Sequence, residues 1–230
     1  MTLTHSAAAF NVAIPATNLT GEPIDLPGRL TLPESAIGLV LFAHGSSSSR
    51  FSPRNTYVAS VLQEAWIGTL LFDLLTPQEE TDRTNVFDIR LLADRLLAAV
   101  RFATEHEQTR QLALGLFGAS TGAAAALVAA AVEPRVAVVV SRGGRPDLAG
   151  TALGRVHAPT LLIVGGDDTE VLRLNQRALE ALDCEKRLSV VPGATHLFEE
   201  PGTLEEAARL AAEWCARHLA SGVGSRTTGG

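Results

Sequence analysis

Eight segments of the chain carry the apolar runs of strands: Ala9–Ile14, Ile24–Leu32, Gly38–Ala43, Ile67–Asp73, Leu112–Phe117, Val136–Ser141, Thr160–Val164 and Arg187–Val191. From the third onward they are mostly continuous apolar stretches, the pattern of strands covered on both faces. Helical patterns separate them. Ile89, Leu92, Leu96 and Val100 form one apolar stripe, with Asp88, Asp94, Arg95 and Arg101 expected to face elsewhere. After Pro201-Gly202, the segment Thr203-Leu-Glu-Glu206 reads as a capping box. It would open a last helix with Ala207, Leu210, Ala211 and Trp214 as its core stripe. Two opening strands followed by alternating β and α predict a mostly parallel, twisted sheet with helices on both faces. Ligands of such sheets bind beyond the carboxyl ends of the strands, so the informative residues stand just after each buried run.

No internal repeat and no Pro- or Ser-rich linker divides the 230 residues, so residues 1–220 read as a single domain. Residues 221–230, polar and Gly-rich, read as a disordered tail. With 46% hydrophobic and 19% charged residues, the chain can bury a full core without disulfides or a structural metal. Its two cysteines, Cys184 and Cys215, stand in no CxxC or Cys/His cluster, which excludes a disulfide scaffold or zinc site as organiser and makes both buried apolar residues. A net charge of −6 argues against a nucleic-acid partner. The uncharged stretch from Leu112 to Val132 is long enough to span a bilayer. It is broken by Gly115, Gly118, Ser120, Thr121 and Gly122, however, and a buried strand, tight turn and buried helix give the same hydropathy. With no cationic or long apolar segment at the N-terminus, the expectation is a cytoplasmic protein with no membrane partner.

Gly118-Ala119-Ser120-Thr121-Gly122 follows a buried run and precedes an alanine-rich helix. This is G-x-S-x-G in strand–turn–helix context, the nucleophile elbow. A strand that reverses straight into a helix brings backbones together, and only hydrogen fits at the flanking positions. The turn presents the Ser120 hydroxyl, with the Thr121 N–H aimed at nearby negative charge. No Lys follows the last glycine, against a phosphate loop, and the glycine spacing is wrong for a dinucleotide fingerprint. A serine needs a base and the base an orienter. Asp167-Asp168 follows Thr160–Val164, and His196 follows Arg187–Val191, in the order serine, acid, histidine. His5, His106, His157 and His218 read as solvated. His44 reads as fixing the turn after Gly38–Ala43, with the Ser46 N–H as second oxyanion donor. Arg50, Asn55 and Arg142 (with Arg145 nearby) are candidate contacts for an anionic substrate group, against the alternative of rim salt bridges with Asp73 or Asp147.

GASTG, HGSSSSR, GGDDTEV and GATHLFEEPG together resemble the dienelactone hydrolase-like branch of the α/β-hydrolases, over residues from about 9 to 220. The resemblance implies an α/β-hydrolase fold with Ser120 as nucleophile, His196 as base and an acid in the Asp167-Asp168 pair. The family frame G-x-x-D-x-x-V aligns on Gly165, Asp168 and Val171, which favours Asp168. Dienelactone hydrolases proper carry cysteine at the nucleophile, and this chain carries serine. The expectation is therefore a cofactor-free, metal-free esterase for short-chain carboxylic esters. A thioesterase, an acyltransferase or a lactone hydrolase would use the same triad, and a receptor on a hydrolase scaffold is the rival from outside the enzymes. The connection from Arg142 to Ala158 is too short for a cap domain.

Overall fold

The computed structural model describes residues 7–46 and 48–221. The expected strands form as β1 (Ala7–Thr17), β2 (Pro23–Pro33), β3 (Gly38–Ala43), β4 (Ile67–Phe72), β5 (Leu114–Ala119), β6 (Val136–Arg142), β7 (Thr160–Gly165) and β8 (Lys186–Val191). They make one sheet in the order β1-β2-β4-β3-β5-β6-β7-β8. The β1–β2 and β2–β4 pairings are antiparallel, and every pairing from β4–β3 to β7–β8 is parallel. The order reverses at β3, so the carboxyl ends of β3 and β5 open onto the crevice where such sheets bind ligands.

The burial follows from the strand period of two. In β3, Leu39, Leu41 and Ala43 join the core beneath α2 (Ile89–Glu105) and α3 (Thr121–Ala130). Val40 and Phe42 join the opposite core, beneath α1 (Pro53–Glu64) and α5 (Thr203–Ser221). Both faces are covered, which is why these strands read as unbroken apolar runs. Outlying β2 instead alternates, with Leu26 and Leu30 buried and Asp25 and Arg29 exposed. The uncharged stretch from Leu112 resolves into β5, the turn at Ser120 and α3. Among the described residues no helix is long and apolar enough to cross a membrane.

Three expectations are corrected. Arg95 does not face solvent: it is 2% exposed on the inner face of α2, and its Nη2 donates to Glu79 Oε1 at 2.5 Å. The capping box does not form. The Thr203 hydroxyl donates to the Glu200 carbonyl, and the Glu206 N–H goes to the Gly202 carbonyl. His218 is not solvated but packs on Trp214 with its side chain 11% exposed. Ser221 closes α5, while residues 222–230 and His5 lie outside the described residues. Between β6 and β7 stands only a kinked run of tight turns, Pro146–Arg155, so no cap domain is inserted there.

Candidate active site

The turn from β5 into α3 is shaped by contact. A Cβ on Gly118 would lie 2.4 Å from the Ala123 Cα, and one on Gly122 would lie 2.1 Å from the Ala43 carbonyl oxygen. Neither position admits a side chain without moving a backbone. Ser120, wedged between them, takes φ 51° and ψ −122°, a conformation that L residues keep only under constraint. Its side chain is thereby lifted out of the sheet at the mouth of the crevice.

Two further strand ends supply the partners. Asp168 stands at the N-terminal boundary of α4 (Thr169–Ala181), where an aspartate ordinarily caps its helix, yet its carboxylate makes no cap bond. Its Oδ2 lies 2.7 Å from Nδ1 of His196. Asp167, its neighbour, is exposed. The loop carrying His196 is clasped by Glu200, which accepts the Thr195 N–H at 3.0 Å and the Thr195 hydroxyl at 2.6 Å. His196 is 40% exposed at its side chain and Asp168 14%, so the base sits at the rim with its orienter behind it. Ser120 and His196 line one cavity of about 240 Å³.

The oxyanion candidates lie on two sides of Ser120. Thr121 opens α3, so its N–H has no acceptor within the helix. The Ser46 N–H also faces this region, but it is occupied: it donates to the Thr121 hydroxyl at 3.1 Å. The sequence reading did not foresee that hydroxyl. His44 is buried behind the loop, accepting the Leu74 N–H on Nε2 at 3.2 Å, with Nδ1 3.0 Å from the Gly45 carbonyl. Those bonds define a neutral ring protonated at Nδ1, and burial pushes its pKa below the ordinary value.

The candidate substrate contacts divide. Asn55 and Arg142 line the cavity. Arg50 does not: its guanidinium pairs with Asp73, which also accepts the Arg50 N–H at 2.8 Å. That is the rim salt bridge, as is Arg145 with Asp147 at 2.8 Å. Arg54, which sequence reasoning missed, lines the cavity from the first turn of α1. Its signal was available, since it directly precedes Asn55 on the same turn. Arg142 is 7% exposed, its Nη2 3.4 Å from Asn55 Oδ1 and its Cζ about 6 Å from the rings of Phe117 and Phe198.

This sheet order, with a serine on the β5–α3 elbow and an Asp–His pair past β7 and β8, defines an α/β-hydrolase fold. The profile of the dienelactone hydrolase family matches residues 69–219, and the chain belongs to that family. A crystal structure of a dienelactone hydrolase from Anabaena variabilis superposes with a TM-score of 0.89 and 53% identity, over 94% of this chain and 100% of that one. A Mycobacterium tuberculosis protein, provisionally named a phosphoribosyl transferase, is 62% identical over 199 residues, 86% of this chain and 45% of that protein. The chain therefore spans about half the length of that curated relative. A Bradyrhizobium protein named as a probable 2-oxo-3-(5-oxofuran-2-ylidene)propanoate lactonase is 28% identical over 64% of this chain and 69% of its own.

Proposed function

We propose that the protein is a serine hydrolase of carboxylic esters, working through an acyl-enzyme. The observation that carries this reading is the cavity shared by the strained Ser120 and the His196 that Asp168 holds through Nδ1. His196 Nε2 takes the Ser120 proton as Oγ attacks the ester carbonyl, then returns it to the leaving alcohol. Asp168 fixes the tautomer and stabilises the imidazolium. The oxyanion sits against the Thr121 N–H and the Ser46 N–H, the substrate oxygen taking the place that the Thr121 hydroxyl holds. Water activated by His196 then releases the acid. With a small cavity and no cap domain between β6 and β7, methylenes beyond the first few stay in water and add little of the roughly 0.8 kcal/mol each gives when buried.

Lactones are a second substrate class, favoured by the family and by the lactonase name of the Bradyrhizobium relative. A Ser–His–Asp set is acyl-transfer chemistry. The longer M. tuberculosis relative that is named a transferase is matched over 45% of its length, so that name does not bear on this site.

The test is labelling with a fluorophosphonate and mapping of the adduct, followed by kcat/KM on p-nitrophenyl acetate, butyrate, octanoate and palmitate. The expected outcome is an adduct on Ser120, lost in Ser120→Ala, and a maximum at acetate or butyrate. An adduct elsewhere removes the triad, and a maximum at octanoate or longer removes the short-chain preference.

A further inference from the structure

Arg142 closes the inner wall of the cavity in an unusual state. It is 93% buried, Nη1 has no hydrogen-bond partner, and among the described residues no carboxylate pairs with it. Its contacts are one amide oxygen, from Asn55, and the faces of Phe117 and Phe198. A cation taken out of water without a counter-ion is strongly destabilising. Burial and the neighbouring Arg54 charge push its pKa down to about 10, which still leaves it cationic at neutral pH. Among the described residues no anion answers this charge, and the cavity beside it is open to one carried by a ligand.

The surroundings indicate which kind of anion. Arg54 adds a second guanidinium, held among the described residues by an exposed pair with Glu199 at 3.3 Å that a ligand can displace. Ser52 caps the twelve-residue α1, its Oγ accepting the Asn55 N–H, and Pro53 has no N–H, so the first turn offers a ligand the Arg54 N–H and the positive end of the helix. Ser46 and Ser48 line it from the loop after β3. Donors thus approach from three sides: the end of β6, the start of α1 and the β3–α1 loop. A planar carboxylate is served by a single arginine fork. A phosphate monoester has three terminal oxygens pointing apart and a charge of about −1.5 to −2 at neutral pH, which matches two guanidiniums and a helix N-terminus.

We propose that this cavity seats a phosphate monoester group of the substrate on Arg142, Arg54 and the start of α1, beside the ester that Ser120 opens. The seat is a property of the cavity alone; the fate of the ester rests on the hydrolase reading above. In the overall reaction the acyl–oxygen bond breaks and water is consumed. The acyl part leaves as the acid, the oxygen leaves as the alcohol, and the P–O bonds stay intact.

The experiment uses Ser120→Ala protein, so that binding is read without turnover. Inorganic phosphate and acetate are titrated calorimetrically at one ionic strength. Phosphate is expected to bind at least about tenfold tighter than acetate. Asn55→Asp, which sets a carboxylate against the Arg142 guanidinium at constant shape, is expected to weaken phosphate at least about tenfold, as is Arg142→Gln. Arg54→Gln should weaken it severalfold. No phosphate binding, acetate binding as tightly as phosphate, or unchanged phosphate binding in Asn55→Asp overturns the proposal. Should Arg142→Gln not fold, Asn55→Asp decides. Phosphate binding in a protein whose wild type takes no fluorophosphonate label would sink the hydrolase reading and leave the seat standing.

Discussion

Two buried arginines stand in different polar clusters and obey different rules. Arg95, on α2, meets Glu79, whose carboxylate also accepts the N–H and hydroxyl of Thr76 at 2.9 and 3.1 Å. The cluster is closed in charge, although Nε and Nη1 of Arg95 have no hydrogen-bond partner, and it straps the segment between β4 and α2 onto the helix. Arg142 has comparable burial but no acid, and with His196 and Ser120 it faces a cavity. A closed cluster spends its charges on holding the chain, whereas an open one leaves them for something that arrives. Substitutions in the first should therefore change stability and spare turnover, and those in the second should do the reverse.

The largest effect is expected in the open cluster. Asp168→Asn should lower kcat by about ten-thousand-fold, because an amide stabilises the wrong histidine tautomer. Its unfolding midpoint should move little, since the carboxylate caps nothing and its bond to His196 lies at the rim. Asp167→Asn, exposed and outside the pair, should change kcat less than about threefold. The reverse ranking would move the acid and break the open cluster apart.

The difference between the clusters also marks what the sequence could disclose. Ser120, Asp168 and His196 were legible because each follows a run buried on both faces, and such runs are visible in one dimension. Arg95 was misread although it falls at the third position after Leu92 and next to Leu96, on the apolar stripe itself. A charge on that stripe is tolerable only with a partner, and Glu79 comes from an irregular segment whose path no periodicity sets. Arg50 and Arg142 were indistinguishable by position alone. Which one meets an acid depends on how β4 and α1 pack, and Asp73 settles it for Arg50. Thr203 failed as a cap because the helix begins one residue earlier than its pattern suggests, with Gly202 accepting from Glu206.

Stability should rank the two arginines in the opposite order from function. Glu79→Gln leaves Arg95 buried without its counter-ion and should cost about 3–5 kcal/mol in urea unfolding, with kcat/KM on a short ester unchanged. Arg142→Met removes a buried charge that has no counter-ion, and should leave stability unchanged or raise it by about 1 kcal/mol. A loss of more than about 2 kcal/mol in Arg142→Met would make Arg142 a structural residue like Arg95, and the contrast would dissolve.

The smallest effect belongs where the clusters adjoin. His44 lies beside both, flanked by Leu74 at the head of the strap and by Gly45 at the cavity. Burial, the dominant influence, lowers its pKa from 6.5, although the Gly45 carbonyl, Asp73 and Glu80 pull the other way. Above pH 6.5 the ring is neutral folded or unfolded, and His44 adds no pH dependence. As pH falls through 6.5, the unfolded chain takes up a proton that the folded chain refuses, since protonating Nε2 would break its bond from the Leu74 N–H. Stability therefore declines on acidification until the folded pKa is reached, and is level below it. His218, also lowered mainly by burial, contributes in the same direction and remains as background. His44→Gln keeps an acceptor for Leu74 but cannot titrate. Unfolding free energies at pH 7.5 and 5.5 should fall less for the variant than for the wild type. Equal losses would mean that the ring takes up its proton in the folded state, leaving the Leu74 bond too weak to tie the strap to the cavity wall.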